Sequence, residues 1–173
     1  MNHLRVAITG NCVPTGNPAE ADCVQVHSFG KGYVNRVLAF RALELANDKA
    51  TIMADRNVTE ELNDISFPCG IALAGEIGNG ITDWRPPGTW EALMEMRRIM
   101  NSRGWEHPIL IAHAHHVGRI TLQAKKLGMD PIVPTGLPHG FDNDSKQIWA
   151  QRRIFWIPYE FAATMKLKLA DQL

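Results

Sequence analysis

The sequence predicts an α/β fold with a mainly parallel central sheet and a C-terminal helix. Short apolar runs alternate with stretches of helical periodicity, which is typical of βα units arranged around a parallel sheet. The chain has 173 residues, of which 45% are hydrophobic and 21% charged, and this is the composition of an ordinary globular protein. We therefore expect a single domain over residues 1–173 that buries its own core.

Five apolar runs are the expected strands. Strands that are covered by helices on both faces are apolar along most of their length, so such runs need no alternation. The predicted strands occupy residues 23–27, 50–54, 71–74, 108–112 and 131–134, and 108–112 is the most continuously apolar of them.

Helices are predicted wherever apolar residues recur every three or four positions. One follows residue 32, a short one covers 59–65, and a third begins at Thr89 as its N-cap. A fourth ends at Gly128, and a last region from 145 to 170 is interrupted by Pro158. Met94 is expected to pack in the core with Met96 and Met100. The apolar faces of the first, third and fourth helices comprise Val34, Val37, Leu38, Ala42 and Leu45; Ala92, Met96, Ile99 and Met100; and Val117, Ile120, Ala124 and Leu127.

The formal net charge is zero, from 18 basic and 18 acidic residues. A chain with equal numbers of basic and acidic residues lacks the excess positive charge that is typical of a nucleic-acid-binding protein. The halves differ, however, with 7 basic and 10 acidic residues in 1–86 against 11 and 8 in 87–173. We therefore expect no nucleic-acid partner, and a small anionic molecule bound by the second half.

The cysteines and the hydropathy indicate a soluble cytoplasmic protein. Cys12, Cys23 and Cys69 are far apart and form no Cys-x-x-Cys pair, so we expect free thiols in a reducing compartment. No apolar stretch approaches the roughly 18 residues that span a membrane, and the N-terminus lacks the apolar core of a secretory signal.

The segment from 111 to 119 is the most informative, because it lies where a central strand ends and a helix begins. In open α/β sheets that edge binds ligands, and the first turn of a helix favours anions. His116 and Arg119 are three residues apart and would point the same way, while His113 precedes them. An imidazole beside a guanidinium can bind an anion and move a proton. We predict His116 and Arg119 as catalytic residues and His113 as a ligand contact; the alternative is polar capping of an exposed helix end.

A metal site is an alternative interpretation of the same segment. His113-x-His115-His116 resembles the start of the His-x-His-x-Asp-His ligand run of binuclear metallohydrolases, but Val117 and Gly118 stand where that run continues. A zinc or manganese shell would therefore need ligands from elsewhere in the chain, such as Asp142, Asp144 or His139.

Two further strand ends carry polar groups. The loop 28–32 reads Ser-Phe-Gly-Lys-Gly and is a candidate phosphate cradle, although it matches neither G-x-G-x-x-G nor a P-loop. The alternative is that its glycines only shape a tight turn. Glu76 follows the third predicted strand and is a candidate general base or ribose contact, or else a solvated loop carboxylate. The predicted ligand contacts of the loop are Ser28, Gly30, Lys31, Gly32 and Asn35.

The C-terminal region combines basic and aromatic residues. Trp156, Tyr159 and Phe161 are predicted to lie in the core or in an interface, which includes a homo-oligomer formed through this region. Arg153 and Glu160 are seven residues apart, so they share a helix face if the helix continues through Pro158.

In this order the motifs resemble those of the YdcF–SanA–ElyC superfamily of bacterial α/β domains. The resemblance covers roughly residues 20–165, and Ala112-His113 departs from it where the family has a small hydroxyl pair. The matching positions are Asp22 with Val24 and Val26, Gly30 with Gly32, Asn35-Arg36, Thr89 with Glu91, His116-x-x-Arg119, and Arg153 with Glu160.

The resemblance implies a Rossmann-like three-layer fold with a polar pocket at the strand ends. His116 and Arg119 would be its central pair, Thr89, Glu91 and Arg153 would lie beside them, and the loop 28–32 would form its floor. Family members are suspected of acting on nucleotide-like or phosphorylated small molecules.

Three functional hypotheses follow. The first is an enzyme of phosphoester hydrolysis or group transfer whose ligand is nucleotide-like, such as S-adenosylmethionine or a sugar nucleotide. The second is a metal-dependent hydrolase built on His113, His115 and His116. The third is a non-catalytic nucleotide-binding sensor or scaffold that presents its aromatic C-terminal surface to a partner.

Overall fold

The central sheet has four parallel strands in the order β3-β2-β1-β4. The computed structural model describes residues 3–46, 51–65, 71–73 and 88–173. In register, Val24 of β1 pairs with Ile52 of β2 on one side and Ile109 of β4 on the other. The strands are β1 (Cys23–Val26), β2 (Thr51–Ala54), β3 (Ile71–Leu73) and β4 (Pro108–Ile111).

Helices cover both faces of this sheet. The chain steps in one direction from β1 through β2 to β3, so right-handed crossovers place α2 and α3 on one face, where they pack together. The step from β3 to β4 reverses direction and places α4 and α5 on the opposite face. The Rossmann-like three-layer α/β fold is thus confirmed. The helices are α1 (His3–Thr9), α2 (Tyr33–Ala46), α3 (Arg56–Asp64), α4 (Thr89–Arg103), α5 (Val117–Lys126), α6 (Ile148–Gln151) and α7 (Arg153–Leu169), and Pro18–Glu20 is a 3-10 turn.

The predicted strand at 131–134 is wrong. Its residues make two isolated bridges, in which Ile132 pairs with Ile109 in parallel and Val133 pairs with Thr15 in antiparallel fashion. Pro131 and Pro134 flank the pair and lack the N–H groups that would continue a ladder, so the segment remains a bridge at the sheet edge.

The helix boundaries correct two other predictions. Gly88, not Thr89, is the N-cap of α4. The C-terminal region is interrupted at Arg152, whose backbone is extended (φ −148°, ψ 147°), while α7 continues through Pro158. Pro158 lies on the exposed side of α7, and Ile154, whose carbonyl loses the helical hydrogen bond because proline has no N–H, is also exposed.

The predicted apolar faces and core packing are correct except at a few exposed positions. Val37 of α2 and Met94 of α4 point to solvent, because the buried arcs of these helices run through other positions. Cys12 and Cys23 are free thiols, and Cys69 lies outside the described residues. Within the described part of the chain, no helix combines the length and the apolar character needed to cross a membrane.

Candidate functional site

The two segments that the sequence singled out meet at the carboxyl ends of β1 and β4. The chain leaves β1 toward α2 on one face and leaves β4 toward α5 on the other, so a crevice opens between these two strands. The ring of Phe29, after β1, stacks on the ring of His113, after β4, with centroids 3.7 Å apart and an interplanar angle of 12°. The topology therefore joins the loop 28–32 to the histidine segment, as predicted.

Helix α7 covers this crevice. The ring of its Trp156 lies 4.8 Å from the Phe29 ring and 5.4 Å from the His116 ring, measured between centroids. One turn further, Glu160 bonds Arg119 of α5. We call His27, His116, Arg119 and Glu160 the switch-point cluster; all four side chains are buried.

An ion pair forms the centre of the switch-point cluster. Arg119 Nε donates to Glu160 Oε1 at 2.8 Å, and Arg119 Nη2 donates to His116 Nδ1 at 3.2 Å. Arginine has donors only, so Nδ1 of His116 must accept, and its Nε2 carries the proton. Arg119 is 5% exposed and Glu160 1%, so this pair is shielded from solvent. His116 is therefore a neutral hydrogen-bond donor at neutral pH.

Burial controls the ionisation of the cluster. It lowers the pKa of His116 well below 6.5, with the Arg119 charge acting in the same direction. Burial and Arg119 also lower the pKa of His27 to about 4. The pKa of Glu160 is raised by burial, against the opposing effect of Arg119. Two neutral histidines thus flank a charged Arg119–Glu160 pair at neutral pH.

Several polar atoms of this region lack hydrogen-bond partners among the described residues. They are Nε2 of His27, Oε2 of Glu160 and Nε1 of Trp156, all fully buried. Glu160 Oε2 lies 3.9 Å from His116 Nδ1, beyond hydrogen-bond distance. Buried polar groups are nearly always hydrogen-bonded in native proteins, and exceptions are expected where a ligand or a catalytic step uses the group.

His113 and His115 have other partners. Nε2 of His113 donates to the carbonyl of Gly140 at 3.0 Å, and its Nδ1 accepts from the backbone of His115 at 3.3 Å. Burial lowers the pKa of His113 to about 3, so the ring is neutral at neutral pH. Its hydrogen bond to the Gly140 carbonyl links the segment after β4 to the loop that contains this glycine. His115 lies against Gly10, where the Cβ of any larger residue would come within 2.8 Å of its Nε2. Among the described residues no three His, Cys, Asp or Glu side chains are arranged to hold a metal ion, so the arrangement does not favour the metal hypothesis.

The loop 28–32 is not an open phosphate cradle, which corrects the sequence prediction. The backbone N–H groups of Ser28 and Phe29 donate to Asp55 Oδ2 and Asn35 Oδ1, at 2.6 and 2.9 Å. Asn35 returns a bond to the Gly30 carbonyl. Side chains of the protein itself thus hold the turn, as the alternative interpretation of its glycines requires.

The start of α2 is likewise occupied by protein groups. Asp142 Oδ2 accepts from the Tyr33 N–H at 3.1 Å and lies where a Cβ of Gly32 would be, so this glycine is required for close approach of the carboxylate. Ser145 Oγ accepts from the Lys31 N–H. A carboxylate of the chain itself takes the place that an anionic ligand would take at this helix N-terminus.

The remaining predicted site residues lie apart from the cluster or outside the described residues. No hydrogen bond or ion pair of the described residues joins Thr89 or Glu91, at the start of α4, to the switch-point cluster. Arg153, the first residue of α7, is exposed, although the seven-residue spacing places it on the same side of this continuous helix as the buried Glu160. Glu76 lies outside the described residues.

The sequence interpretation missed His27 and the role of Glu160. His27 directly follows the apolar strand β1. A polar residue at the end of such a strand was the signal in the sequence that could have indicated a site residue. Glu160 lies between Trp156 and Thr164 at i−4 and i+4 on the buried face of α7. A carboxylate on such a face requires a buried cation, and that spacing could have indicated the partnership.

We expect stability to fall as the pH drops below about 6.5. His27 and His113 have native pKa values of about 4 and 3, while the unfolded chain binds their protons from about 6.5 downward. Each such histidine removes about 1.4 kcal/mol of unfolding free energy per pH unit in that window. Glu160 acts in the opposite direction above about pH 4.5, because its native pKa is raised. Denaturant unfolding at pH 7.5, 6.5 and 5.5 measures the net slope.

A pair of variants separates the contribution of one histidine. His27→Gln should reduce the slope between pH 6.5 and 4.5 by about 1.4 kcal/mol per unit, whatever its effect on stability at pH 7.5. Asn101→Gln changes an exposed side chain that carries no titratable group and should keep the wild-type slope. Equal slopes in wild type and His27→Gln would contradict the assignment of a neutral buried His27.

The fold and the site define an α/β protein of Rossmann-like topology with a buried ionic cluster at its switch point. In comparisons with protein-family models, curated proteins and solved structures, no match to the chain was found. The function must therefore be argued from the residues of the cluster.

Proposed function

We propose that the chain is an enzyme that binds a phosphorylated or nucleotide-like small molecule at the switch-point cluster and catalyses phosphoester hydrolysis or group transfer. One observation carries the proposal: a buried arginine lies with polar atoms of His27 and Glu160, which have no hydrogen-bond partner among the described residues, where parallel α/β sheets bind ligands. The resemblance to the YdcF–SanA–ElyC superfamily supports it, because His116 and Arg119 are the pair that the resemblance selects.

Arg119 is the proposed anion contact. Its Nε and Nη2 are held by Glu160 and His116, and Nη1 makes no hydrogen bond to the described residues. A guanidinium fixed at two nitrogens is preorganised, so little side-chain entropy is lost when it binds a phosphate oxygen. The protonated Nε2 of His116 supplies a second, neutral donor for the same anion.

Glu160 is the proposed proton acceptor. Its Oε2 is unpartnered among the described residues, and burial raises the pKa of this carboxylate toward the range of a general base. His116 would then stabilise developing negative charge as a neutral donor rather than act as the base. On this proposal the side chain of Trp156, which covers His116, must be displaced to admit the ligand, while Glu160 stays bonded to Arg119.

A thermal-shift screen tests the proposal. The ligands are nucleotides, sugar nucleotides, S-adenosylmethionine, phosphosugars, and zinc and manganese ions. A ligand at 100 times its Kd adds about 2.7 kcal/mol to stability. Arg119→Lys keeps the positive charge but loses the planar guanidinium with its paired N–H donors. It should reduce the affinity for a ligand identified in the screen at least about tenfold. Arg153→Lys, which changes an exposed arginine on α7, is the matched control and should bind as the wild type does.

The outcomes distinguish the hypotheses. Equal shifts in wild type and Arg119→Lys, or no shift with any ligand, would contradict the proposed site. A shift with zinc or manganese alone would favour the metal-dependent hydrolase. A ligand that binds through Arg119 but is never turned over would indicate the sensor or scaffold.

A further inference from the structure

The outer face of α7 carries an apolar stripe. Ile154, Pro158, Phe161, Met165 and Leu169 follow one another at intervals of four, three, four and four residues, so they form one line along the helix. All five are exposed, whereas the opposite face buries Trp156, Glu160 and Thr164. We refer to these five residues as the α7 stripe. It spans about 22 Å, at 1.5 Å per residue.

The exposed area of the α7 stripe is close to the area that one partner contributes to a small protein–protein interface. The exposed fractions are 70% for Ile154, 57% for Phe161, 46% for Met165 and 86% for Leu169. With full areas of roughly 200 Å² for side chains of this size, they offer on the order of 500 Å². Two such stripes face to face would bury about 1,000 Å², which is the lower bound for a specific interface.

We propose that the α7 stripe is the interface through which two copies of this chain pair in an antiparallel dimer. The stripe is self-complementary about a two-fold axis between Phe161 and Ala162. In that register Ile154 faces Leu169 of the second copy, the small Pro158 faces the long Met165, and Phe161 faces the small Ala162. Isologous contacts of this kind close a dimer without leaving the same apolar surface exposed.

The charges at the ends of the helix favour the antiparallel direction. In the same register Arg152, exposed at the start of α7, comes opposite the exposed Asp171 that follows its end and that also pairs with Lys126 of its own chain. The positive N-terminal and negative C-terminal ends of the two helix dipoles also alternate. A parallel pair would instead place Lys166 and Lys168 beside their own copies, with like-charge repulsion.

Sedimentation equilibrium of the wild-type chain from about 1 to 200 µM tests the dimer. We expect a reversible monomer–dimer equilibrium with a Kd in the micromolar range, because the area is small. Phe161→Asp puts two carboxylates at the axis and should weaken dimerisation at least about 100-fold. Phe40→Asp is the matched control, since Phe40 is a similarly exposed phenylalanine on α2, at 51%.

A cross-linking experiment tests the register. Thiols introduced at both ends of the stripe would be about 22 Å apart within one chain, too far for a short bismaleimide. Ile154→Cys/Leu169→Cys should therefore cross-link efficiently only between chains of an antiparallel dimer, and Ile154→Cys alone should not exceed the wild-type background. Strong cross-linking of Ile154→Cys alone would overturn the antiparallel register.

Other outcomes would overturn the proposal as a whole. They are a wild-type chain that stays monomeric at the highest concentration, and a Phe161→Asp variant that dimerises as the wild type does. Flotation with phosphatidylserine vesicles tests a lipid surface as the alternative partner. A wild-type chain that is monomeric and floats with the vesicles would assign the α7 stripe to a lipid surface and overturn the dimer. The ligand screen does not depend on the stripe, so dimerisation and the proposed function fail separately.

Discussion

Replacing Arg119 with alanine is expected to lower the free energy of unfolding by about 3–5 kcal/mol. The substitution leaves Glu160, which is 1% exposed, as a buried carboxylate without its cation. It also removes the donor that His116 Nδ1 accepts from. Urea unfolding at pH 7.5, with the m-value checked for constancy, measures the loss.

A double variant shows whether the loss comes from the stranded charge. In Arg119→Met/Glu160→Leu both partners are apolar and of similar size, so most of the stability should return. Arg98→Ala on α4 is the control, because Arg98 pairs with Glu95 at the surface and should leave stability nearly unchanged. If the double variant were as unstable as Arg119→Ala, packing of the long side chains rather than charge compensation would explain the loss.

The fold was predictable where the local pattern and the tertiary environment agree. The runs that became β1, β2, β3 and β4 are largely apolar, and both faces of the described part of the sheet are covered, so composition and burial indicate the same structure. The segment 131–134 has strand-like residues, but its prolines lack the donors of a ladder. The short helix α1 was not predicted, since it packs on α5 and α7 and its stability depends on those contacts.

The site was predictable only to the extent that it is local. His116 and Arg119 are three residues apart, and this spacing was sufficient to place them side by side. Glu160 reaches Arg119 across 41 positions, so only the packing of α7 brings them together. Whether the N–H groups of Lys31 and Tyr33 are free depends on Ser145 and Asp142, which are more than a hundred residues away. A sequence motif shows which backbone N–H groups a loop offers as hydrogen-bond donors. It does not show which acceptors from distant parts of the chain already bind them.

Gly30→Ala is expected to destabilise the protein by about 2–5 kcal/mol, through two separate effects. Gly30 has a φ of +70°, which costs a residue with a side chain about 1–2 kcal/mol. Its Cβ would also overlap the Cβ of Ala150 in α6 and approach Ser145 Oγ to 2.9 Å. Overpacking of this kind typically costs a further ~1–3 kcal/mol. Thermal and urea unfolding of the variant measure the sum.

Two further variants separate strain from overlap. Gly104 has the same φ of +70°, and no atom of the described residues lies within 4 Å of the position that a Cβ would take. Gly104→Ala should therefore cost only the backbone strain, about 1–2 kcal/mol. Gly30→Ala/Ala150→Gly removes the overlapping methyl and should be more stable than Gly30→Ala alone. If Gly30→Ala cost no more than Gly104→Ala, α6 would not be held against the loop after β1. Because α6 leads directly into α7, that result would also weaken the argument that α7 is held over the switch-point cluster.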